Sequence, residues 1–372
     1  MKKNKLLITI GAVVLVVLIF SVLLLDKSNN NTVMIGVTGP QVGLYADIGQ
    51  SMMNGAFLAC DEFNSRGELK FSIDAQNDSG EPKNAMTCIN KMLARGVDGL
   101  IIMGDNQVPA LAEKVRAARI PVIATIVATS DFLGKKDNME VTVFRNYSNV
   151  EYAAERIAEY ASKVLVGKSG VVLYTQNAYG MSGARSFVKW FKEFGGDVLL
   201  DEAFDENAND LRGIVSKCLG KNPDVVYVVG FGTGYNRLIN QIHELGYRGK
   251  ILTDEPISGP SCVGVIKDFS NIYFTNNPIP DSDRYNEFCS KYEKMFGALP
   301  NVFSIYGYDS MNILCEAIAK SREMNSTPSK YIISKKKFPT LLGGIEFKNT
   351  GDCIIPVGIN KMNSDGKYER VQ

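Results

Sequence analysis

Residues 33–64 read VMIGVTGPQVGLYADIGQSMMNGAFLACDEFN. Residues 33–37 are short, apolar and rich in β-branched side chains, the pattern of a strand buried in a parallel sheet. Gly39, Pro40 and Gly43 then break the chain into a loop. From Tyr45 the apolar residues Ile48, Met52, Ala56, Ala59 and Phe63 return every three or four positions, which puts them on one face of a helix. Strand, loop and helix in that order predict an open α/β sheet. Such sheets bind ligands at the carboxyl ends of their strands, so residues 38–45 are expected to form one wall of a site.

Outward from this unit the alternation continues. Strands are expected at 71–75, 97–103 and 121–126, with helices at 81–95 and 110–119 and a polar loop at 104–108. That order predicts a parallel sheet covered on both faces, with 71–75 near an edge because it alternates. Residues 144–149 show no clear period and are expected to be a crossover. The alternation then restarts. Helices are expected at 150–165, 182–194, 210–219 and 235–245, and strands at 170–174, 197–203, 224–229 and 250–253, with a loop at 175–180. Residues 271–277 read as a second crossover, followed by helices at 282–296 and 303–320 and short strands near 344–347 and 353–359. The fold class is therefore α/β, with two doubly wound parallel-sheet lobes joined by a multi-strand hinge. A ligand would sit in the cleft, and closure is the usual motion.

Composition narrows the function. The chain has 372 residues, 45% hydrophobic and 22% charged, enough for two domains with a sizeable core. A net charge of +1 without a sustained basic stripe gives no field for nucleic acid. The run Lys335, Lys336, Lys337 reads as a solvated face or turn. At the N-terminus three lysines precede an uncharged apolar run, residues 6–25, and about 20 apolar residues suffice to cross a bilayer. The run ends without a small-x-small cleavage site or a following cysteine. It predicts an uncleaved membrane anchor with the lysines cytoplasmic and the rest outside; a cleaved signal is the alternative. Residues 28–32 form a polar linker.

The seven cysteines, at 60, 88, 218, 262, 289, 315 and 353, form no CxxC and no Cys/His cluster, so no metal site is expected. Disulfides are allowed outside the cytoplasm, but a Cys60–Cys88 pair is doubtful: a reversal of strand order between their helices would put them on opposite sheet faces. The sole histidine, His243, sits in an amphipathic helical stretch and reads as structural. Gly230-Phe-Gly-Thr-Gly234 imitates a dinucleotide fingerprint, but Tyr235 stands where the third glycine is needed. Gly167-Lys168-Ser169 lacks the earlier glycine of a P-loop. No cofactor and no catalytic constellation is expected.

Seven stretches together resemble a known family: GVTGPQVGLYADIG with NGAFLACDEFNSRG, DAQNDSGEPKNAMTCINKMLARGVDGLI, RIPVIATIVATSDFL, VFRNYSN, GVVLYTQNAYGMSGARSF, NPDVVYVVGFGTGYNRLINQIHELGY and YGYDSMNILCEAIAK. In this order they resemble the extracytoplasmic solute-binding proteins of ABC importers, of the leucine/isoleucine/valine-binding type. The resemblance implies a two-lobed clamp with three crossovers. One lobe would hold residues 32–146 and 275–338, the other 147–274 and 339–372, with 1–31 as anchor and linker.

It also implies ligand-contacting positions in the loops after strands. These fall on Tyr45, on Asn106 and Gln107, on Val127 and Thr129, on Tyr179, on Phe231 beside Gly232, on Glu255 as the acid for a ligand ammonium, and on Phe303. Thr129 has a second reading as a helix N-cap, and Asp78 reads as a turn residue. One departure stands out. Amino-acid binders of this type usually hold the ligand carboxylate with small hydroxyl residues after the third strand. This chain has Asp105, which would repel a carboxylate unless it points away.

The implied function is capture of a small polar ligand, an amino acid or an amino-bearing or amide compound, by hinge closure, for delivery to ABC permease subunits. The alternative is a ligand-sensing receptor that passes closure to a separate signalling partner.

Overall fold

The structure, a computed structural model, describes residues 32–43, 45–67, 69–130, 132–134, 140–277, 283–363 and 366–372. The expected anchor and Ser282 lie outside the described residues. Among those described, no helix is long and apolar enough to cross a membrane.

The first alternation is a five-stranded, wholly parallel sheet. Its elements are β1 (Thr32–Gly39), α1 (Ala46–Arg66), β2 (Lys70–Asn77), α2 (Pro82–Ala94), β3 (Gly99–Met103), α3 (Gln107–Ala118), β4 (Val122–Thr125) and β5 (Val143–Asn146). Strand order is β2-β1-β3-β4-β5. Residues 143–146 are thus the fifth strand, and only 147–149 cross over. Their pattern is hard to read because Arg145 is fully buried in a strand of mixed polarity.

The chain then builds α4 (Val150–Lys163), β6 (Ser169–Thr175), α5 (Ala178–Glu193), β7 (Asp197–Phe204), α6 (Arg212–Leu219), β8 (Val225–Val229), α7 (Thr233–Glu244) and β9 (Lys250–Thr253). A 3-10 turn (Glu255–Ser258) and the short α8 (Pro260–Val263) lead to β10 (Ile272–Asn276). The parallel strands run β7-β6-β8-β9-β10, the order of the first sheet repeated, and the antiparallel β14 (Gly358–Met362) and β15 (Tyr368–Arg370) extend it. The expected lobe boundary at 275 falls inside β10, whose residues pair with β9 and β14.

In both sheets the order reverses after the first strand, so right-handed connections send helices to both faces. Cys60 on α1 and Cys88 on α2 accordingly sit in different apolar clusters, and all seven cysteines are unpaired.

The late helices α9 (Asp283–Phe296), α10 (Val302–Glu323) and α11 (Pro328–Lys335) return to the first sheet. Met52, Ala56 and Ala59 of α1 are fully buried, and α10 packs on that helix. The two backbones nearly touch: a Cβ on Gly55 would lie 1.9 Å from Ser304 O, and one on Gly307 would lie 1.9 Å from Met52 O. A small antiparallel sheet of β11 (Lys337–Phe338), β12 (Ile345–Phe347) and β13 (Cys353–Ile354) also sits on the first lobe. The Phe347 ring packs 5.5 Å from Phe144, and Arg145 N donates to Gly351 O. Residues 337–354 are thus placed away from the second sheet, contrary to the expectation for 339–372.

Among the described residues, Asn277 ties together the passages between the sheets. Its amide nitrogen lies 2.6 Å from Ser148 Oγ and donates to Pro356 O at 2.7 Å, while its oxygen lies 2.6 Å from the Tyr306 hydroxyl.

Candidate ligand-binding site

The reversal of strand order selects the loops after β1 and β3 in one sheet, and those after β6 and β8 in the other. These four loops face one another across a cleft of about 520 Å3. Tyr45 caps the start of α1 and reaches over. Its hydroxyl donates to Glu206 Oε1 at 3.0 Å, and its ring meets Phe231 edge-on at 5.5 Å. Burial first, then Glu206, push its phenol far above the ordinary value, so it stays a proton donor. Phe231 in turn lies 5.6 Å from the Tyr179 ring.

Phe231 and Gly232 follow β8. Gly232 adopts φ 94°, and a Cβ there would sit 2.7 Å from Glu206 O, so glycine lets the loop meet the segment after β7. Gly104 after β3 has φ 101°, and a Cβ there would meet the Gln107 side chain of its own loop. Asn106 and Gln107 line the cleft from the start of α3, and Phe303 lines it from the start of α10, whose Asn301 and Ser304 form a capping box. Tyr179 is helical, in the first turn of α5, although loop was expected. Asn177 caps that helix by accepting from Gly180 N, which starts it four residues early.

The acids lie deeper. Tyr179 donates to Asp254. Tyr147 donates to Glu255, which the Tyr306 hydroxyl also approaches at 3.0 Å. Burial is the main cause that pushes both carboxyls up to about 7, partly opposed by these tyrosines. The resemblance implied Glu255 as the acid that meets a ligand ammonium. It instead lies behind Tyr147, because the chain turns into a 3-10 helix at this residue.

Two further expectations are corrected. Val127 is fully buried in the core beneath the first sheet, with Val108 and Leu111. The Thr129 hydroxyl is buried without a hydrogen-bond partner, and the residue borders a separate depression with Glu151 and Trp190. Their loop is held from both sides. Asp105 Oδ1 accepts from Ala128 N at 3.0 Å and Thr129 N at 2.8 Å, while Arg145 Nη1 donates to Ala128 O at 2.9 Å and Thr129 O at 3.1 Å. Burial raises the Asp105 carboxyl, opposed by the Thr129 and Ala128 amides and the Arg145 charge. Asp78 is a turn residue, accepting from Thr38 Oγ1 and Gly80 N.

Tyr45, Asn106, Gln107, Tyr179, Phe231 and Phe303 thus meet at one cleft. The sequence reading passed over Tyr147 on the wall, and Glu206 and Asp254, which accept from the wall tyrosines Tyr45 and Tyr179. It also missed Arg237 and Lys267, on a groove that continues along α7, where Asn236, Asn240 and Glu244 recur at helical spacing. Glu206 sits in a polar stretch after an edge strand, where periodicity carries no signal. Tyr147 stood in plain sight within VFRNYSN.

Two α/β lobes with strand-end loops opposed across an aromatic cleft define a bilobal solute-binding protein. The chain matches the family described as Periplasmic binding protein over residues 32–367 and belongs to it, a family that works outside the cytoplasm. It is 25% identical over 328 residues to the Leu/Ile/Val-binding protein BraC3 of Rhizobium johnstonii, covering 86% of this chain and 88% of that protein. It is 22% identical over 359 residues to an amino acid binding protein of Pseudomonas aeruginosa, covering 91% of this chain and 92% of that one.

Similar solved folds include the leucine binding protein LivK from Thermotoga maritima, with TM-score 0.81, 20% identity and coverage of 91% of this chain and 98% of that one. LivJ from Streptococcus pneumoniae, in complex with isoleucine, gives TM-score 0.80 and 22% identity, covering 91% and 99%. A solute binding protein from R. palustris, in complex with benzoate, gives 0.76 and 18%, covering 91% and 95%. These relatives are binding proteins rather than enzymes.

Proposed function

We propose that this protein captures a small amino-bearing or amide solute between its lobes by hinge closure and hands it to the permease of an ABC importer. The observation that carries this reading is the contact of Tyr45, from the first lobe, with Phe231 and Glu206 of the second, over an aromatic-lined cavity. A ligand that touches both walls only when they meet stabilises the closed form by its differential affinity alone. The proposed lobes are residues 32–146 with 277–354 and residues 147–276 with 357–372. They turn about the passages that Asn277 joins, and residues 6–25 serve as the membrane anchor.

The reading is tested by a thermal-shift screen against amino acids, amides, amines and small carboxylates, followed by solution scattering with each hit. A ligand at 100 times its dissociation constant adds about 2.7 kcal/mol of stability. The expected result is a raised midpoint together with compaction. A hit that raises the midpoint and leaves the radius of gyration unchanged refutes closure.

A further inference from the structure

The cavity does not end at its aromatic walls. From Phe231 its lining continues along the exposed face of α7, through Thr233, Arg237, Asn240 and Glu244. Tyr45 already bonds Glu206 across the cleft, yet Thr233, Arg237 and Glu244 remain exposed, so the groove is open at its outer end with the walls in contact. At 1.5 Å per residue, Arg237 stands about 6 Å and Glu244 about 16 Å beyond the start of the helix.

Three carboxamides of α7 fasten the two sides of this groove. Gln241 Oε1 accepts from Leu211 N at 2.8 Å on one side. On the other, Asn236 Nδ2 donates to Ser261 O at 2.7 Å, and Asn240 donates to Val265 O at 3.2 Å while accepting from Lys267 N at 2.9 Å. At the far end Arg212 pairs with Asp210 and Glu244. Among the described residues, Arg237 and Lys267 form no ion pair, and both are exposed along the groove. Charge is therefore graded along the path. Asp47, in the first turn of α1, and the tyrosine-bonded Glu206, Asp254 and Glu255 lie toward the cleft end, and the two unpaired cations lie farther out.

Resting on the solute-capture reading above, we propose that the solute is a short peptide whose apolar first residue sits among Tyr45, Tyr179 and Phe231 and whose terminal carboxylate reaches Arg237 and Lys267. A single amino acid cannot span both ends, whereas two further extended residues, at about 3.3–3.6 Å each, cover the distance to Arg237. The tail meets the second lobe alone. Its contacts are the same with the lobes open or shut, so it adds affinity without shifting closure. The aromatic cleft drives closure, and the groove sets ligand length and end group.

The experiment uses the full chain in detergent-containing buffer, with calorimetry on four probes: phenylalanine, Phe-Gly, Phe-Gly-Gly and the C-terminal amide of Phe-Gly-Gly. The tripeptide is expected to bind at least tenfold more tightly than phenylalanine and than its own amide, with Phe-Gly between. Arg237→Gln combined with Lys267→Gln should bring the tripeptide and its amide to equal affinity. The Tm of this variant without ligand checks its fold, since both side chains are exposed. If phenylalanine binds the wild type as tightly as the tripeptide, or the acid and amide bind alike, the inference is overturned while solute capture stands. A folded double variant that keeps the wild-type acid-to-amide ratio overturns it too. If none of the four probes binds, the inference falls, and the solute screen decides separately whether capture stands.

Discussion

The Tyr45 hydroxyl offers a direct measure of what holds the lobes together. Tyr45→Phe removes one oxygen and leaves the ring against Phe231, so packing in the cleft is preserved. The lost contact is a hydrogen bond of 3.0 Å to a carboxylate that also accepts from Asn177. Hydrogen bonds to charged groups contribute about 1.5–3 kcal/mol, and partial exposure puts this one at the lower end. Because it joins opposite walls, the proposed opening of the cleft would break the bond. Its loss therefore falls on the open–closed equilibrium rather than on either lobe. About 1.5 kcal/mol corresponds to roughly tenfold weaker apparent binding, at one decade per 1.4 kcal/mol. Calorimetry with the best hit of the solute screen reads this number, and scattering on the ligand-free variant reads the shift toward open forms. The Tm of the ligand-free protein should move little. Wild-type affinity with an unchanged scattering profile would show that Tyr45 does not latch the cleft.

Other expectations follow from the same geometry. Gly55→Ala should destabilise the protein through overpacking by about 1–3 kcal/mol or more, read as a lower Tm, since its Cβ meets a backbone carbonyl that cannot swing aside. The control Gly213→Ala, with nothing within 4 Å, should stabilise α6 by about 0.5–1 kcal/mol; equal behaviour of the two variants would refute the close crossing of α1 and α10. Asp254 and Glu255 have folded-state values near 7, above their unfolded 3.8 and 4.5, so the folded state holds protons that the unfolded chain releases. Their contribution is present below about pH 4 and is lost as pH rises toward and through 7. Glu255→Gln should flatten that part of the stability–pH curve, as followed by urea unfolding at pH 5 and pH 8. Trp190 stacks on Phe194 at 5.8 Å and borders a depression other than the cleft. Its emission maximum should therefore stay fixed as ligand is added, and a large shift would contradict its placement.

The strand and helix periodicities of residues 33–126 and 150–253 carried the lobes, because buried parallel strands and amphipathic helices leave strong patterns. The pattern failed where side chains serve the site. Arg145 breaks the apolar run of β5 because it clamps the loop at 128 and 129, so that strand read as irregular. Asn106 and Asn177 sit at the starts of helices whose first turns carry Pro109 and Gly180, residues that read as loop, which hid the helical positions of Gln107 and Tyr179. Strand-end position pointed to Tyr45 and Phe231, which line the cleft, but it could not distinguish a residue on the cleft wall from one just behind it. Glu255 and Val127 are behind it, and a one-residue change of direction decides the difference.

The crossing of α1 by α10 has a consequence for how the protein is made. Asn301 Nδ2 bonds Ser51 Oγ, two residues 250 apart in the chain. The first lobe therefore lacks its supporting helix until the last quarter of the polypeptide has emerged, and the 32–146 segment alone leaves the apolar stripe of α1 open to water. Contacts this distant form slowly. A chain destined for the far side of a membrane thereby stays threadable during export, and it completes its early domain only after nearly all of it has crossed.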